Sequence, residues 1–205
     1  MSRNPMLAIG VAAALALGAT PALAQGTNSD STSRPSGAAP SMNGNSESAG
    51  AMHKPGRAEQ HFLTEAMQGD MAEVQMGKLA QQKGQSEDVK QFGEMLQQDH
   101  GQHLQQAEQM AQQMGVTPPQ GPNAKEKAAY ERMNKLSGAQ FDKQFARMSV
   151  RDHKKDIAEY QKQAKSKGPL AQFAQQTIPT LQKHLQTAQA IENKGAMTGS
   201  KAGRR

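Results

Sequence analysis

The chain contains no cysteine. That single absence excludes disulfides, thiolate metal sites and cysteine nucleophiles together, so stability has to come from packing. Aromatic residues are scarce: no Trp, two Tyr and five Phe in 205 residues. A core built without them rests on Ala, Leu, Met and a few Phe, which suits thin helix–helix seams better than a β-sandwich. No segment alternates apolar and polar residues with the period of a strand. No nucleophile elbow, phosphate-binding loop or zinc-protease motif is found, so enzyme chemistry has little support and the reading is of a non-enzymatic protein. Beyond the N-terminus no second long apolar run occurs, so no transmembrane segment is expected in the mature chain.

What is present divides the chain into zones. Arg3 precedes an apolar run, Met6 to Ala19, of the length of a secretory h-region, and Ala22 to Ala24 fit an A-x-A cleavage site. Residues 1–24 are therefore expected to be a signal peptide and the mature chain an exported protein, periplasmic or associated with the outer envelope. With no cysteine after the run, a lipoprotein anchor is excluded. Residues 25–57 are Gly, Ser, Asn and Pro with almost nothing to bury, and are expected to be a disordered linker. Residues 193–205 read in the same way, as a disordered basic tail, which leaves 58–192 as the folded domain.

Four long helical patterns fill that domain. The first runs over about 58–83 and ends at Gly84; the second opens at the N-cap residue Ser86 with Glu87 and Asp88 in its first turn and ends near Met114. The third follows Gly138 to about Lys167, and the fourth starts at Pro169, a position that tolerates proline. Pro179 should kink the fourth helix. The connection from Gly115 to Ser137 is long enough to hold a short extra helix, AKEKAAYERMNKL. Seam positions recur at three-and-four spacing, most of them apolar: Phe62, Ala66, Gly69, Glu73, Met76 and Ala80 on the first helix; Val89, Phe92, Leu96, His100, His103 and Ala107 on the second; Val150, His153, Ile157 and Tyr160 on the third; Phe173, Thr177, Leu181, His184 and Ala188 on the fourth. This is the spacing of an all-α four-helix bundle.

Each seam is interrupted by a side chain able to bind metal: Glu73 on the first helix, His100 and His103 with Asp99 alongside on the second, His153 on the third and His184 on the fourth. All lie near the middles of their helices, and midpoints superpose whichever way each helix runs. Burying such groups singly would be costly. Convergence on one layer removes much of that cost, and a carboxylate with imidazoles suits a first-row divalent metal ion. The Glu-x-x-His pairs of di-iron carboxylate bundles are missing, which argues against a ferroxidase. The same residues also fit a metal-free hydrogen-bonded network that fixes helix register. The 13 methionines read as adaptable core filler, although Met with His could hold copper.

The stretches FLTEAMQGDMAEVQMGKLAQQKGQSEDVKQFGEMLQQDHGQHLQQ, FDKQFARMSVRDHKKDIAEYQ and LAQFAQQTIPTLQKHLQTAQ resemble the exported bacterial family numbered 4142 among the domains of unknown function. The resemblance spans about 59–192; its most specific pieces are the Asp-His of the second helix, the FD pair and later His of the third, and IP-x-L-x-x-H-L of the fourth. It implies a ferritin-like four-helix bundle in the envelope of a Gram-negative bacterium and implies no activity. Glu73, Asp99, His100, His153 and His184 are the positions that match. Two functions remain in competition: a ligand- or metal-binding bundle, and a structural or stress-related envelope protein acting through its surface. Lys and Arg exceed Asp and Glu by 24 to 18, which allows weak association with anionic envelope surfaces. Because the charges intermix along the helices, no basic stripe for nucleic acid is expected.

Overall fold

The computed structural model of the protein describes residues 55–202. The signal-peptide reading of 1–24, nearly all of the linker reading of 25–57 and the last residues of the tail lie outside the described residues. Five helices follow one another: α1 (Arg57–Lys83), α2 (Glu87–Met114), α3 (Ala124–Asn134), α4 (Gly138–Gln163) and α5 (Pro169–Ala202). Among the described residues no strand forms, and no helix is long and apolar enough to cross a membrane.

Short turns join α1 to α2 and α4 to α5, so each pair is an antiparallel hairpin, and the two hairpins pack with α1 beside α4 and α2 beside α5. The direction of the second hairpin follows from one carboxylate. Asp142, near the start of α4, accepts from the backbone N–H groups of Gln85 and Ser86, both at 2.8 Å, in the α1–α2 turn. The start of α4 therefore lies at the turn end, while α2 finishes at the opposite end. The connection through α3 has to cross the length of the bundle, and α4 runs parallel to α2. One long crossover of this kind distinguishes a ferritin-like bundle from an up-down-up-down one. Asp142 also places negative charge on the N-terminus of α2, where the helix dipole favours it, beside the Ser86 hydroxyl that accepts from Val89 N–H at 3.4 Å.

The interior has two apolar clusters, one at each end. Leu79, Val89, Phe92, Leu96, Phe141 and Phe145 anchor the cluster at the α1–α2 turn end. Leu63, Met67, Tyr160, Leu170 and Phe173 anchor the other. Met67, Met76, Met133 and Met148 are buried within these clusters, as filler.

Three sequence expectations need correction. On α1 the buried face is centred on Leu63, Met67 and Asp70; Phe62, Gly69 and Glu73, placed on the seam, are only half-buried and flank it. The reason is that α1 covers both α2 and α4, so its buried arc is wider than one seam. Helix α4 stops at Gln163 instead of Lys167, with turns before Gly168 takes φ 91°. Helix α5 includes Pro179, as the continuing seam implied, but runs past Glu192 to Ala202, over residues that the composition assigned to the tail. Backbone hydrogen bonding can extend a helix beyond the core that stabilises it, and Lys194 there meets Asp88 of α2 at 2.7 Å.

The closest approach of α1 and α2 depends on two glycines. A Cβ on Gly93 would lie 2.6 Å from the Gly77 carbonyl oxygen and 2.8 Å from Ala80 Cβ, and a Cβ on Gly77 would meet the Gly93 carbonyl. Alanine ordinarily stabilises a helix by about 1 kcal/mol over glycine, but here backbone blocks the added methyl. Gly93→Ala should lower the unfolding free energy by about 1–3 kcal/mol, the usual cost of overpacking. Gly69→Ala, whose Cβ meets nothing within 4 Å, should raise it by up to about 1 kcal/mol. Urea unfolding of the two variants checks both signs.

Candidate metal centre

Between the two apolar clusters lies a polar layer to which all four long helices contribute. From α1 come Asp70 and Glu73, from α2 Asp99, His100 and His103, from α4 His153 and Asp156, and from α5 His184. His100, His153 and His184 project inward because each replaces an apolar residue at three-and-four spacing, while Asp99 and Glu73 are half-buried beside that line. His153 and His184 are completely buried, and Asp70 and His100 nearly so.

Acceptors on the outer side of each imidazole determine where its proton sits. His100 Nδ1 lies 2.9 Å from Asp70 Oδ1. His153 Nδ1 lies 2.9 Å from the carbonyl oxygen of Ser149, one turn earlier on α4. His184 Nε2 lies 2.9 Å from Asp99 Oδ2. A carbonyl or carboxylate oxygen only accepts, so in each ring the outer nitrogen donates, and in a neutral ring the inner nitrogen then carries a lone pair. The inner atoms are His100 Nε2, His153 Nε2 and His184 Nδ1. The three histidines can each present a nitrogen such that all lie within 4.8 Å of one another. His153 Nε2 and His184 Nδ1 are 3.3 Å apart, yet with both protons committed elsewhere this contact sets lone pair against lone pair.

Electrostatics keeps two of these rings neutral. Burial pushes His153 down to about 3, with further lowering from His100 and His184. Burial and His100 bring His184 down to about 4 against the opposing pull of Asp99. His100 differs: burial works to lower it, but the hydrogen bond and charge of Asp70 outweigh burial and raise it. Burial would raise the Asp70 carboxyl, yet the hydrogen bonds from His100 and His103 hold it below its ordinary value.

The six residues singled out in the sequence thus fall into distinct roles. His100, His153 and His184 converge. Asp99 stands behind His184 and orients it. His103 Nδ1 lies 2.6 Å from Asp70 Oδ2, and its ring stacks on Phe173 with centroids 4.6 Å apart, so it belongs to the wall beside the triad. Glu73 is not part of the triad; it lines a cavity of about 70 Å³ with Asp70, His100 and Asp156. One Glu73 carboxylate oxygen is buried with no hydrogen-bond partner, as are His100 Nε2 and His103 Nε2. On the α2–α5 side a second cleft, about 210 Å³, reaches His100 and His184 between Gln102, Gln176 and Thr180.

Sequence reasoning missed Asp70 and Asp156. Asp70 continues the Leu63–Met67 line by three residues, a signal masked by the competing line of Phe62, Ala66 and Gly69. Asp156 follows His153 by three, on the same face of α4, but DHKKD reads as a solvated charge run. The Ser149 carbonyl carries no sequence signal, since any residue supplies one.

The family described as Domain of unknown function (DUF4142) matches residues 43–191. Among solved structures the chain is similar to a crystal structure of a DUF305 fragment from Deinococcus radiodurans, with a TM-score of 0.61 and 16% identity over 68% of this chain and 97% of that one. At that identity the likeness shows the shared ferritin-like helical fold. No curated protein matches the chain.

Burial raises the Glu73 carboxyl to about 7, with His100 opposing and Asp156, Asp152 and Asp70 adding to the rise. In the folded protein Glu73 stays protonated up to that pH, whereas unfolded it ionises above about 4.5. Its contribution to stability is therefore fully present below about 4.5 and lost as pH rises through about 7. Metal-free Glu73→Gln should be gaining stability relative to wild type as pH rises from 4.5 to 7, with no further gain above that. Urea unfolding at a series of pH values checks the sign; a difference that shrinks with rising pH would contradict it.

Proposed function

The chain belongs to the DUF4142 family, and we propose that it is an exported helical-bundle protein that binds one divalent first-row transition-metal ion through His100 Nε2, His153 Nε2 and His184 Nδ1. The observation that carries this reading is the 3.3 Å separation of two buried imidazole nitrogens, His153 Nε2 and His184 Nδ1, whose lone pairs face each other. Facing acceptors repel unless a cation lies between them. Two nitrogens about 2.0–2.1 Å from a tetrahedral ion lie roughly 3.3 Å apart, so this pair already has the spacing of a shared ligand edge. His100 completes three sides.

The outer partners support the same reading. A metal-ligating imidazole typically donates its other N–H to a carboxylate or backbone carbonyl, which fixes the tautomer and raises ligand basicity. All three rings do so, to Asp70, Ser149 and Asp99. Three imidazoles suit Zn, Cu, Fe or Ni more than Mg or Ca. Three protein ligands leave a position open to water or a small molecule, and the α2–α5 cleft lined by His100 and His184 gives access to it. Export rests on the N-terminal apolar run and its A-x-A end.

The competing reading, a metal-free network, describes Asp70 with His100 and His103 well. It leaves the His153–His184 contact without a proton and both rings neutral at physiological pH.

Thermal unfolding of protein prepared without a histidine tag separates the two. A ligand that binds only the folded state at 1,000 times its dissociation constant stabilises it by about 4 kcal/mol, so wild type should melt several degrees higher with at least one of Cu, Zn, Fe, Mn or Co ions. His184→Leu should lose that gain. Asp70→Asn, which keeps the ligands and removes the carboxylate behind His100, should weaken affinity by about 10–100-fold. An unchanged melting temperature with all five ions would leave the network reading in place.

A further inference from the structure

Helices α3 and α4 border an open cleft of about 650 Å³ that shares no lining residue with the two cavities at the polar layer. Its charged lining residues are all cations: Arg132 from α3 and Lys143, Arg147 and Arg151 from α4. The three on α4 are spaced i, i+4, i+8, so they form a ladder along one helix face, about 6 Å per step. Elsewhere on the long helices the signs alternate. Arg151 donates to Asp152 at 3.0 Å and 3.1 Å, and Arg147 lies 3.7 Å from Glu192. Among the described residues Arg132 and Lys143 form no ion pair, so two cations at the cleft remain uncompensated. The floor is apolar. Met133 and Met148, both part of the turn-end core cluster, line it with side chains that reshape easily around a ligand.

A cleft of several hundred Å³ with an apolar floor and a few convergent polar groups has the form of a small-molecule site. The like-charged rim specifies the sign of the ligand, and the guanidinium fork of Arg132 suits a phosphate. The methionine floor calls for a hydrocarbon part that inorganic phosphate lacks. We propose that this cleft binds a single-chain amphiphile with a phosphate head, the head held at Arg132 and Lys143 and the tail laid over Met133 and Met148. The site is separate from the histidine layer and does not depend on what that layer holds.

Calorimetric titration of the full chain with octyl phosphate below its micelle concentration tests this, with inorganic phosphate and octyl glucoside as head-only and tail-only probes. Octyl phosphate should bind at least tenfold more tightly than either probe. Both cations are exposed, so their replacement leaves the fold intact: Arg132→Ala with Lys143→Ala should weaken octyl phosphate at least tenfold, and Arg132→Lys with Lys143→Arg should retain most of the affinity. The proposal is overturned if octyl phosphate binds no better than either probe, or binds the double alanine variant as it binds wild type. Binding only to phosphatidylglycerol vesicles, with none to the monomer, also overturns it, because that result marks a membrane-facing patch in place of a ligand cleft.

Discussion

The carboxylate of Asp70 accepts from two imidazoles at once, His100 through one oxygen and His103 through the other. Much of the interior depends on that arrangement. A nearly buried carboxylate would ordinarily be driven toward its neutral form, but two short charge-assisted hydrogen bonds keep it ionised. The ionised group then fixes the tautomer of His100 and turns its Nε2 toward His153 and His184. It also ties α1 to α2 at mid-height, where the apolar clusters are interrupted. Without Asp70, nothing would hold the His100 ring with Nδ1 outward and Nε2 turned toward His153 and His184.

The two apolar clusters make this layer tolerable. The Phe92 ring lies against both His153 and His184 from the turn end, and Phe173 and Tyr160 lie against His103 from the other. They surround the layer with apolar side chains, so charge–charge interactions inside it are stronger than they would be at the surface. That is why neighbouring groups of one chemical type separate so far: His153 falls to about 3 while His100 rises, and the Glu73 carboxyl rises to about 7 while that of Asp70 falls. Asp156, in the same cavity as Glu73, is also raised to about 7 by burial, against Lys155 and His100. Within one layer, two imidazoles are thus held neutral while two carboxyls are raised to about 7.

Topology positions these groups. Because α4 begins at the α1–α2 turn, held there by Asp142, α2 and α4 run parallel, and their central histidines, His100 and His153, meet at one height. His184 reaches the same level from α5. The near-contact of Gly77 and Gly93 brings α1 close enough to α2 for the short Asp70 side chain to span the gap.

The helices, the short extra helix and the polar interruptions at His100, His153 and His184 were legible in the sequence, since three-and-four spacing is a local property and a histidine on an apolar line stands out by itself. Mid-helix placement was enough to anticipate the meeting of His100, His153 and His184, because helix midpoints superpose in either direction, but not that Glu73 stands outside it. The division of labour within the layer was not legible. Asp99 and Glu73 look alike as acids on or beside a seam, but Asp99 bonds a histidine 85 positions away and Glu73 bonds none. Asp70 went unnoticed because which part of the wide α1 face is central depends on the angle at which α2 and α4 pack against it. The cationic ladder of Lys143, Arg147 and Arg151 is visible as spacing, yet only the position of α3 makes it the wall of a cleft. Sequence determined which residues lie on which face of each helix. Tertiary structure alone decided which nitrogen of each histidine holds its proton, because that depends on acceptors contributed by other helices or by the backbone one turn away.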